Sequence, residues 1–352
     1  MRGTTLEYVW IDGLSQLRSK IRVVDRNIST VKDVPLWNYD GSSTHQAAGV
    51  DSEIELRPCA IFHTSKGDRI FAGEFGVSNH ILVMCETYYP NGHPCKTNHR
   101  AHALRIFESL PDEEPWFGLE QEYFLFERNS SKNSLIPATN EIVQGQYYCG
   151  VGSNNILCRE LAEEHLRTCM LVGINISGIN SEVAPGQWEF QIGPCVGIHL
   201  GDHLWMARYL LLKLSEKYNL VVNFEPKPIP NCNGSGCHAN FSTKNMRLGT
   251  SNKTGLEYIN DAIKKLSENH LRHMEAYGEN NHLRMTGECE TASYNTFTDG
   301  IANRGASVRR GHDTIRNKCG YFEDRRPAAN CDPYLVTSMI FETCILGYKD
   351  AV

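Results

Sequence analysis

The run Trp116-Phe117-Gly118-Leu119-Glu120-Gln121-Glu122-Tyr123-Phe124-Leu125-Phe126 reads as a β-strand, being apolar and aromatic almost throughout. Side chains alternate along a strand, so Glu120 and Glu122 share one face, about 6–7 Å apart by the strand rise. Two carboxylates aimed the same way from such a strand repel each other unless a cation lies between or beside them. A strand face that turns both acids to water is the competing reading of this run alone.

A second run shifts the balance. In Asn180-Ser181-Glu182-Val183-Ala184-Pro185-Gly186-Gln187-Trp188-Glu189-Phe190-Gln191-Ile192-Gly193-Pro194, alternation puts Gln187, Glu189 and Gln191 on one face and Trp188, Phe190 and Ile192 on the other. A carboxylate framed by amides suits a ligand better than a solvated edge does. In Gly320-Tyr321-Phe322-Glu323-Asp324-Arg325-Arg326, residues Tyr321, Glu323 and Arg325 alternate with Phe322 and Asp324. The glycine-rich Gly234-Ser235-Gly236-Cys237-His238-Ala239-Asn240-Phe241-Ser242 adds one imidazole, which on its own reads as a structural histidine. Together these runs supply several carboxylates and one imidazole without the spacing of a cysteine zinc site. Oxygen-rich donors suit Mg²⁺ or Mn²⁺, and the imidazole leans toward tolerance of Mn²⁺. Arginines at 284, 304, 309, 325 and 326 supply guanidinium forks for phosphate or carboxylate, whereas Arg310 and Arg316 read as solvated charges. Acids for metal and arginines for oxyanions equip a chain for phosphoryl transfer.

Other nucleotide chemistries are excluded by motif. The chain has no G-x-x-x-x-G-K-[ST] loop, no G-x-S-x-G elbow, and no complete dinucleotide fingerprint around Gly150 and Gly152. With 35 Lys plus Arg against 41 Asp plus Glu, the net charge of −6 argues against nucleic acid as a partner. A hydrophobic fraction of 41% and a charged fraction of 22% are those of an ordinary globular chain. No run approaches the length of a membrane helix, and Met1–Trp10 lacks the apolar segment of a signal peptide. Thirteen cysteines, an odd number with no C-x-x-C, read as small buried hydrophobes in a reducing cytoplasm.

The 352 residues suggest two domains. The first ninety-odd residues are short apolar runs split by turn formers, which is β-rich patterning. The breakers Tyr89-Pro90-Asn91-Gly92-His93-Pro94 place a boundary there, giving domains 1–93 and 94–352. Beyond it, Thr97-Asn98 caps one expected helix, Asn155–Val172 forms a second, and Asp202 caps a third from His203 to Tyr218. Thr254-Gly255-Leu256-Glu257 is a capping box opening a fourth that continues to Met274. Strands are expected at Trp116–Phe126, Gly186–Gly193, Leu220–Phe224 and Gly320–Asp324. Helices mixed with antiparallel-looking strands argue for an α+β fold.

These segments, with Trp37-Asn38-Tyr39-Asp40-Gly41-Ser42-Ser43-Thr44, Phe224-Glu225-Pro226-Lys227-Pro228-Ile229-Pro230 and Ala302-Asn303-Arg304, closely resemble those of eukaryotic-type (type II) glutamine synthetases, over about Glu7 to Leu346. The resemblance implies an ATP-dependent ligase that makes glutamine from glutamate and ammonium. It implies an N-terminal β-grasp domain, and a catalytic domain with a curved antiparallel sheet flanked by helices. By matching position, the metal ligands are Glu120, Glu122, Glu182, Glu189, His238 and Glu323. The ATP contacts are Trp116, Asn240, Ser242, Arg309, Tyr321 and Arg325, and the glutamate contacts Asn233, Gly234, Arg284, Arg304 and Arg326. Asp40, Glu290, Arg304 and Arg326 are the implied catalytic residues, with Asp40 and Glu290 taking the proton of ammonium. Family members stack two rings of five subunits, each site being completed by Asp40 of a neighbour.

The chain departs from this pattern in three places. It begins close to the first expected strand, where the family commonly has a helix. His63–Asn79 is longer than usual. The flap reads Thr286-Gly287-Glu288-Cys289-Glu290-Thr291, with an extra acid and a cysteine where Phe or Lys and then His are common. Two other readings stand beside the ligase: a catalytically silent structural homologue, and a γ-glutamyl ligase for another amine.

Overall fold

The computed structural model describes residues 3–63, 80–128, 145–230 and 232–347. Apart from His63, the expected insertion His63–Asn79 lies outside them. Five strands form the first sheet: β1 (Thr4–Ile11), β2 (Leu17–Val24), β3 (Trp37–Asp40), β4 (Glu53–His63) and β5 (His80–Tyr88). Their order is β2-β1-β5-β4-β3, with β1 parallel to β5 and the other neighbours antiparallel. Alternation gives β1 two apolar faces. Tyr8 and Trp10 pack with Ile81, Val83 and Val34 in a local cluster, while Val9 and Ile11 join the main core.

The second sheet has eight strands: β6 (Trp116–Glu127), β7 (Ile176–Ser181), β8 (Gln187–Val196), β9 (Leu220–Asn223), β10 (Cys237–Ser242), β11 (Asp299–Ile301), β12 (Val308–Arg310) and β13 (Phe322–Asp324). Its path runs β11-β12-β13-β10-β6-β8-β7, with β9 paired to the far end of β6. The helices are α1 (His99–Ser109), α2 (Arg159–Leu171), α3 (His199–Tyr218), α4 (Lys244–Leu248), α5 (Gly255–Glu268), α6 (His270–Ala276), α7 (His312–Asn317) and α8 (Pro333–Phe341). One large apolar cluster joins Phe117, Leu119, Tyr123 and Leu125 of β6 and Trp188, Phe190 and Ile192 of β8 to helices α1, α2, α3 and α8. The opposite face of β6 and β8 is thereby left for the acids.

The fold is α+β, with four local differences from the sequence reading. The second sheet is not wholly antiparallel, because β11 runs parallel to β12 at its edge. The second helix starts at Arg159, not Asn155. The expected helix from Gly255 to Met274 breaks at Asn269 into α5 and α6. Asp202 does not cap α3, which begins a turn earlier at His199. Its carboxylate is buried, accepting from Arg100 Nε and Nη2 at 2.7 and 2.9 Å and from the Tyr334 hydroxyl at 2.6 Å. Those partners come from α1 and α8, so no local capping signal reveals them. The box at Thr254 forms as read: Glu257 accepts from the Thr254 amide at 2.8 Å, and Thr254 accepts from the Glu257 amide.

The first sheet is also tied to α3 by a buried charge. Glu7 of β1 accepts from Lys213 Nζ of α3 at 2.7 and 2.8 Å, contacts His80 Nε2 at 2.9 Å, and accepts from the Tyr209 hydroxyl. Burial alone would raise its pKa, but the His80 hydrogen bond and the Lys213 charge outweigh it and hold the carboxyl at about 2. A depressed carboxyl contributes stability above its ordinary 4.5 and loses it as pH falls through the folded value. Glu7→Gln is therefore expected to cost about 3 kcal/mol at neutral pH, by leaving Lys213 without its buried partner. In urea melts the gap to wild type should close as pH falls from about 4.5 toward about 2. A gap independent of pH would contradict the charge argument.

Candidate active site

Strand register assembles the site. Glu120 of β6 stands opposite His238 of β10, and Glu122 opposite Glu189 of β8. Glu323 of β13 stands opposite Asn240 of β10, and also opposite Arg309 of β12. Two acid groups result. In one, Glu120, His238 and Glu323 bring ligand atoms within 4.8 Å of one another; in the other, Glu122, Glu182 and Glu189 do so. His238 Nδ1 lies 3.4 Å from Glu120 Oε2 and 3.5 Å from Glu323 Oε1.

Amides aim these carboxylates. Gly236 N–H donates to Glu122 at 2.6 Å, Asn180 Nδ2 to Glu182 at 2.8 Å, and Asn240 Nδ2 to Glu120 at 2.9 Å. Gln191 Nε2 donates to Glu189 and to Asn180 Oδ1. Gly236 is a glycine for a steric reason: a Cβ there would stand 2.7 Å from His238 Nε2.

The acids sit uncomfortably together. Burial, then the charge of Glu182, raises the pKa of Glu122; burial, then Glu189, raises that of Glu182. Burial, with Glu120 and Glu122, raises Glu189. Burial, with Arg325 nearby, pushes His238 well below its ordinary value, so its imidazole is neutral and fit to ligate. Five carboxylates and a neutral imidazole, with no thiol, match a hard divalent cation in each group.

A polar pocket of about 190 Å³ is lined by Glu120 and His238 of the first group and by all three acids of the second. Tyr148, Asn233, Gly234, Arg284, Glu290, Arg304, Arg309 and Arg325 complete its walls. Arg309 Nη1 lies 3.1 Å and Arg325 Nη1 2.6 Å from Glu323, while Arg304 Nη1 lies 3.3 Å from Glu290. An apolar groove of about 460 Å³ shares Glu120 with this pocket and continues along Gln191. Trp116, Asn240, Ser242 and Tyr321 line it, Tyr321 being 54% exposed just outside β13.

Two expected site residues lie elsewhere. Arg326 does not face the pocket. It is 0% exposed on the reverse side of the sheet, its Nε and Nη2 held 2.8 and 2.7 Å from Asp324, its Nη1 3.1 Å from His270 Nδ1. Adjacent residues on extended backbone point oppositely, so Arg325 reaches the acids and Arg326 cannot. Asp40 ends β3 of the small sheet, where Ser42 hydrogen bonds hold its carboxyl below the usual range, and it is absent from the pocket of its own chain. The sequence reading missed Tyr148 and Arg247. Arg247 lies in α4, with its guanidinium 4.0 Å over the Trp116 ring, and no local pattern marks it.

The raised carboxyls carry a sign. Between their ordinary 4.5 and their higher folded values, the folded state holds more protons than the unfolded, so stability of the metal-free protein falls as pH rises through neutrality. Divalent ions compete with those protons. The melting temperature gained on adding Mn²⁺ should therefore increase with pH between about 5.5 and about 8. A gain that is constant across this range, in a fluorescence melt series, would contradict the assignment of the acids.

Residues 99–352 match the protein family described as glutamine synthetase, catalytic domain. The chain is 49% identical over 341 residues to a glutamine synthetase of Agaricus bisporus, covering 97% of this chain and 93% of that relative. It is 50% identical over 345 residues to glutamine synthetase cytosolic isozyme 1-1 of Oryza sativa subsp. japonica, with coverage of 97% and 93%. To a glutamine synthetase of Candida glabrata it is 47% identical over 346 residues, with coverage of 98% and 90%. This similarity over nearly the full chain agrees with the acids, arginines and twin cavities, and the chain belongs to the glutamine synthetase family.

Proposed function

We propose that this chain joins ammonia to the side-chain carboxyl of glutamate at the expense of ATP, through γ-glutamyl phosphate, releasing glutamine, ADP and phosphate. The observation that carries the reading is the pair of acid groups on one sheet face, walled by arginines and opening onto an aromatic groove. Glu120, His238 and Glu323 would hold one divalent ion and Glu122, Glu182 and Glu189 another, with Mg²⁺ or Mn²⁺ as the ion. Bound there, the ions supply positive charge that lets two anions approach each other.

The chain's own side chains do the rest. The groove of Trp116, Asn240, Ser242 and Tyr321 takes the nucleotide, with the base against the aromatic rings. Arg309 and Arg325 face its phosphates from beside Glu323. Asn233, Gly234, Arg284 and Arg304 border the space left for glutamate. Its carboxylate attacks the terminal phosphoryl group, ADP departs, and the acyl phosphate carries the leaving group that a free carboxylate lacks. Ammonium has no lone pair, so Glu290 and Asp40 are assigned to bind it and take its proton before attack. Glu290 reaches the pocket from the flap and meets Arg304 across its mouth. Closure there shields the acyl phosphate from water. Arg326, on the reverse face, is given no contact with substrate.

Asp40 does not line the pocket of its own chain and is assigned to the site of a neighbouring subunit, and the resemblance to the family supports assembly into two stacked pentameric rings. Residues 1–93 are proposed as the β-grasp domain that delivers it, and 94–352 as the catalytic domain. A cytoplasmic location is supported by relatives named as cytosolic isozymes, and among the described residues no helix is long and apolar enough to cross a membrane. Neither a membrane nor nucleic acid is proposed as a partner.

Phosphate release should require glutamate, ammonium, ATP and Mg²⁺ together. No release with all four would favour the silent homologue, and release with polyamines but not ammonium would favour the other-amine ligase. Glu120→Ala should lower turnover by about a hundredfold or more with the oligomer intact, through loss of the ion. Shared sites predict complementation: Asp40→Ala and Glu290→Ala, each inactive alone, should regain activity when dissociated and reassembled together. Reassembled mixtures with no activity would contradict the shared site.

A further inference from the structure

We propose that Arg208 of α3 is a positioning residue that fixes the spacing of the two acid groups, and through it their affinity for divalent ions. The inference rests on the metal reading above. Arg208 is 2% exposed and lies behind the sheet, on the face of β6 opposite the acids. Its Nε and Nη2 both donate to Gln121 Oε1, at 2.8 and 2.5 Å. Nη1 donates to the Cys331 carbonyl at 2.9 Å and Nη2 to the Ala329 carbonyl at 3.0 Å. The guanidinium is caged by rings, 4.7 Å from the centroid of Trp205 and 5.4 Å from that of Phe224.

Gln121 stands between Glu120 and Glu122, which belong to different acid groups. Its Nε2 donates to the Glu122 carbonyl at 2.7 Å and to the Ala329 carbonyl at 3.0 Å. The Ala329 amide donates in turn to the Ser235 carbonyl at 3.0 Å, next to Gly236, whose amide holds the Glu122 carboxylate. Arg208 thus joins strand β6 to the chain leaving β13 after Arg325, and the Ala329 amide carries the linkage on to the Asn233–Gly236 loop.

The choice of arginine follows from this task. Every hydrogen-bond acceptor it uses is neutral, one amide and two carbonyls, and among the described residues no carboxylate pairs with it. Burying a cation without an ion pair is costly. A planar fork that holds the Gln121 amide and the 329–331 backbone at once is what the arrangement obtains in return, and a lysine ammonium cannot reproduce it. The positive charge also lies on the other side of the strand that carries the crowded acids, where its sign favours their ionised forms.

The test is a Mn²⁺ titration of the full chain without substrates, free Mn²⁺ being counted by electron paramagnetic resonance, with melting temperature recorded alongside. Arg208→Lys, which keeps the charge and loses the fork, should bind Mn²⁺ about tenfold more weakly, the scale of supporting contacts behind a metal ligand. Gln121→Met, which removes the acceptor that the fork holds, should weaken Mn²⁺ binding on the same scale. A folded Arg208→Lys within twofold of wild type overturns the proposal, whatever its melting temperature. Should that variant not fold, a Gln121→Met variant within twofold of wild type overturns it instead, and a tenfold loss upholds it. Wild type that takes up no Mn²⁺ overturns the metal reading, and this inference with it.

Discussion

Mutual repulsion among five glutamates, four of them buried and Glu120 half-buried, governs the architecture of this chain. Glu120, Glu122, Glu182, Glu189 and Glu323 converge on one face of the second sheet, where low exposure strengthens every like-charge contact. A protein that spends stability this way must fix the acids from elsewhere, and the structure does so in two layers. Beside them, Asn180, Gln191, Asn240 and the Gly236 amide donate hydrogen bonds that set each carboxylate's orientation. Behind them, the same strands turn aromatic side chains into the main core, so displacing an acid means displacing Trp188, Phe190 or Leu119.

The reverse face of the sheet carries buried charge as well as apolar packing. Arg208 reaches Gln121 between the two β6 acids. Arg326 locks Asp324 on β13, and Tyr277 donates to that same carboxylate at 2.9 Å. Each anchor sits one residue away from a group that faces the pocket: Gln121 beside Glu120 and Glu122, Arg326 beside Arg325, Asp324 beside Glu323. Strand alternation is therefore used twice, once to gather chemistry on the front and once to clamp the same backbone from the rear. Arg284 closes the arrangement at the side, its Nη2 donating to the carbonyls of Arg325, Arg326 and Pro327 at 2.8–3.1 Å.

The polar pocket and the aromatic groove meet at Glu120, so a phosphate chain running from one into the other passes that acid at their junction. A glutamine synthetase needs this adjacency, because the nucleotide's terminal phosphate must reach a carboxylate seated among the arginines. The small sheet contributes no side chain to the pocket of its own chain, yet its Val9, Ile11 and Met84 belong to the same apolar cluster as the catalytic strands, and Glu7 ties it to α3. Asp40 is carried on that tethered sheet, at the end of β3.

Much of the site was legible in the sequence because strand geometry is local. The two-residue repeat puts Glu120 with Glu122, and Gln187 with Glu189 and Gln191, whatever the strands later pair with, and the capping box at Thr254 closes on its own neighbours. Resemblance then supplied roles that no periodicity contains, and it erred by one residue at Arg325 and Arg326, where two adjacent arginines look alike until the backbone assigns each a face. Tertiary structure alone divided the six candidate metal-holding residues into two groups, since that depends on which strands lie side by side and in what register. It alone drew Asp202 into a buried pair with Arg100, brought Arg247 over Trp116, and placed Arg208 behind Gln121. Those partners stand far apart along the chain, and only the pairing of strands and the docking of helices brings them within hydrogen-bond reach.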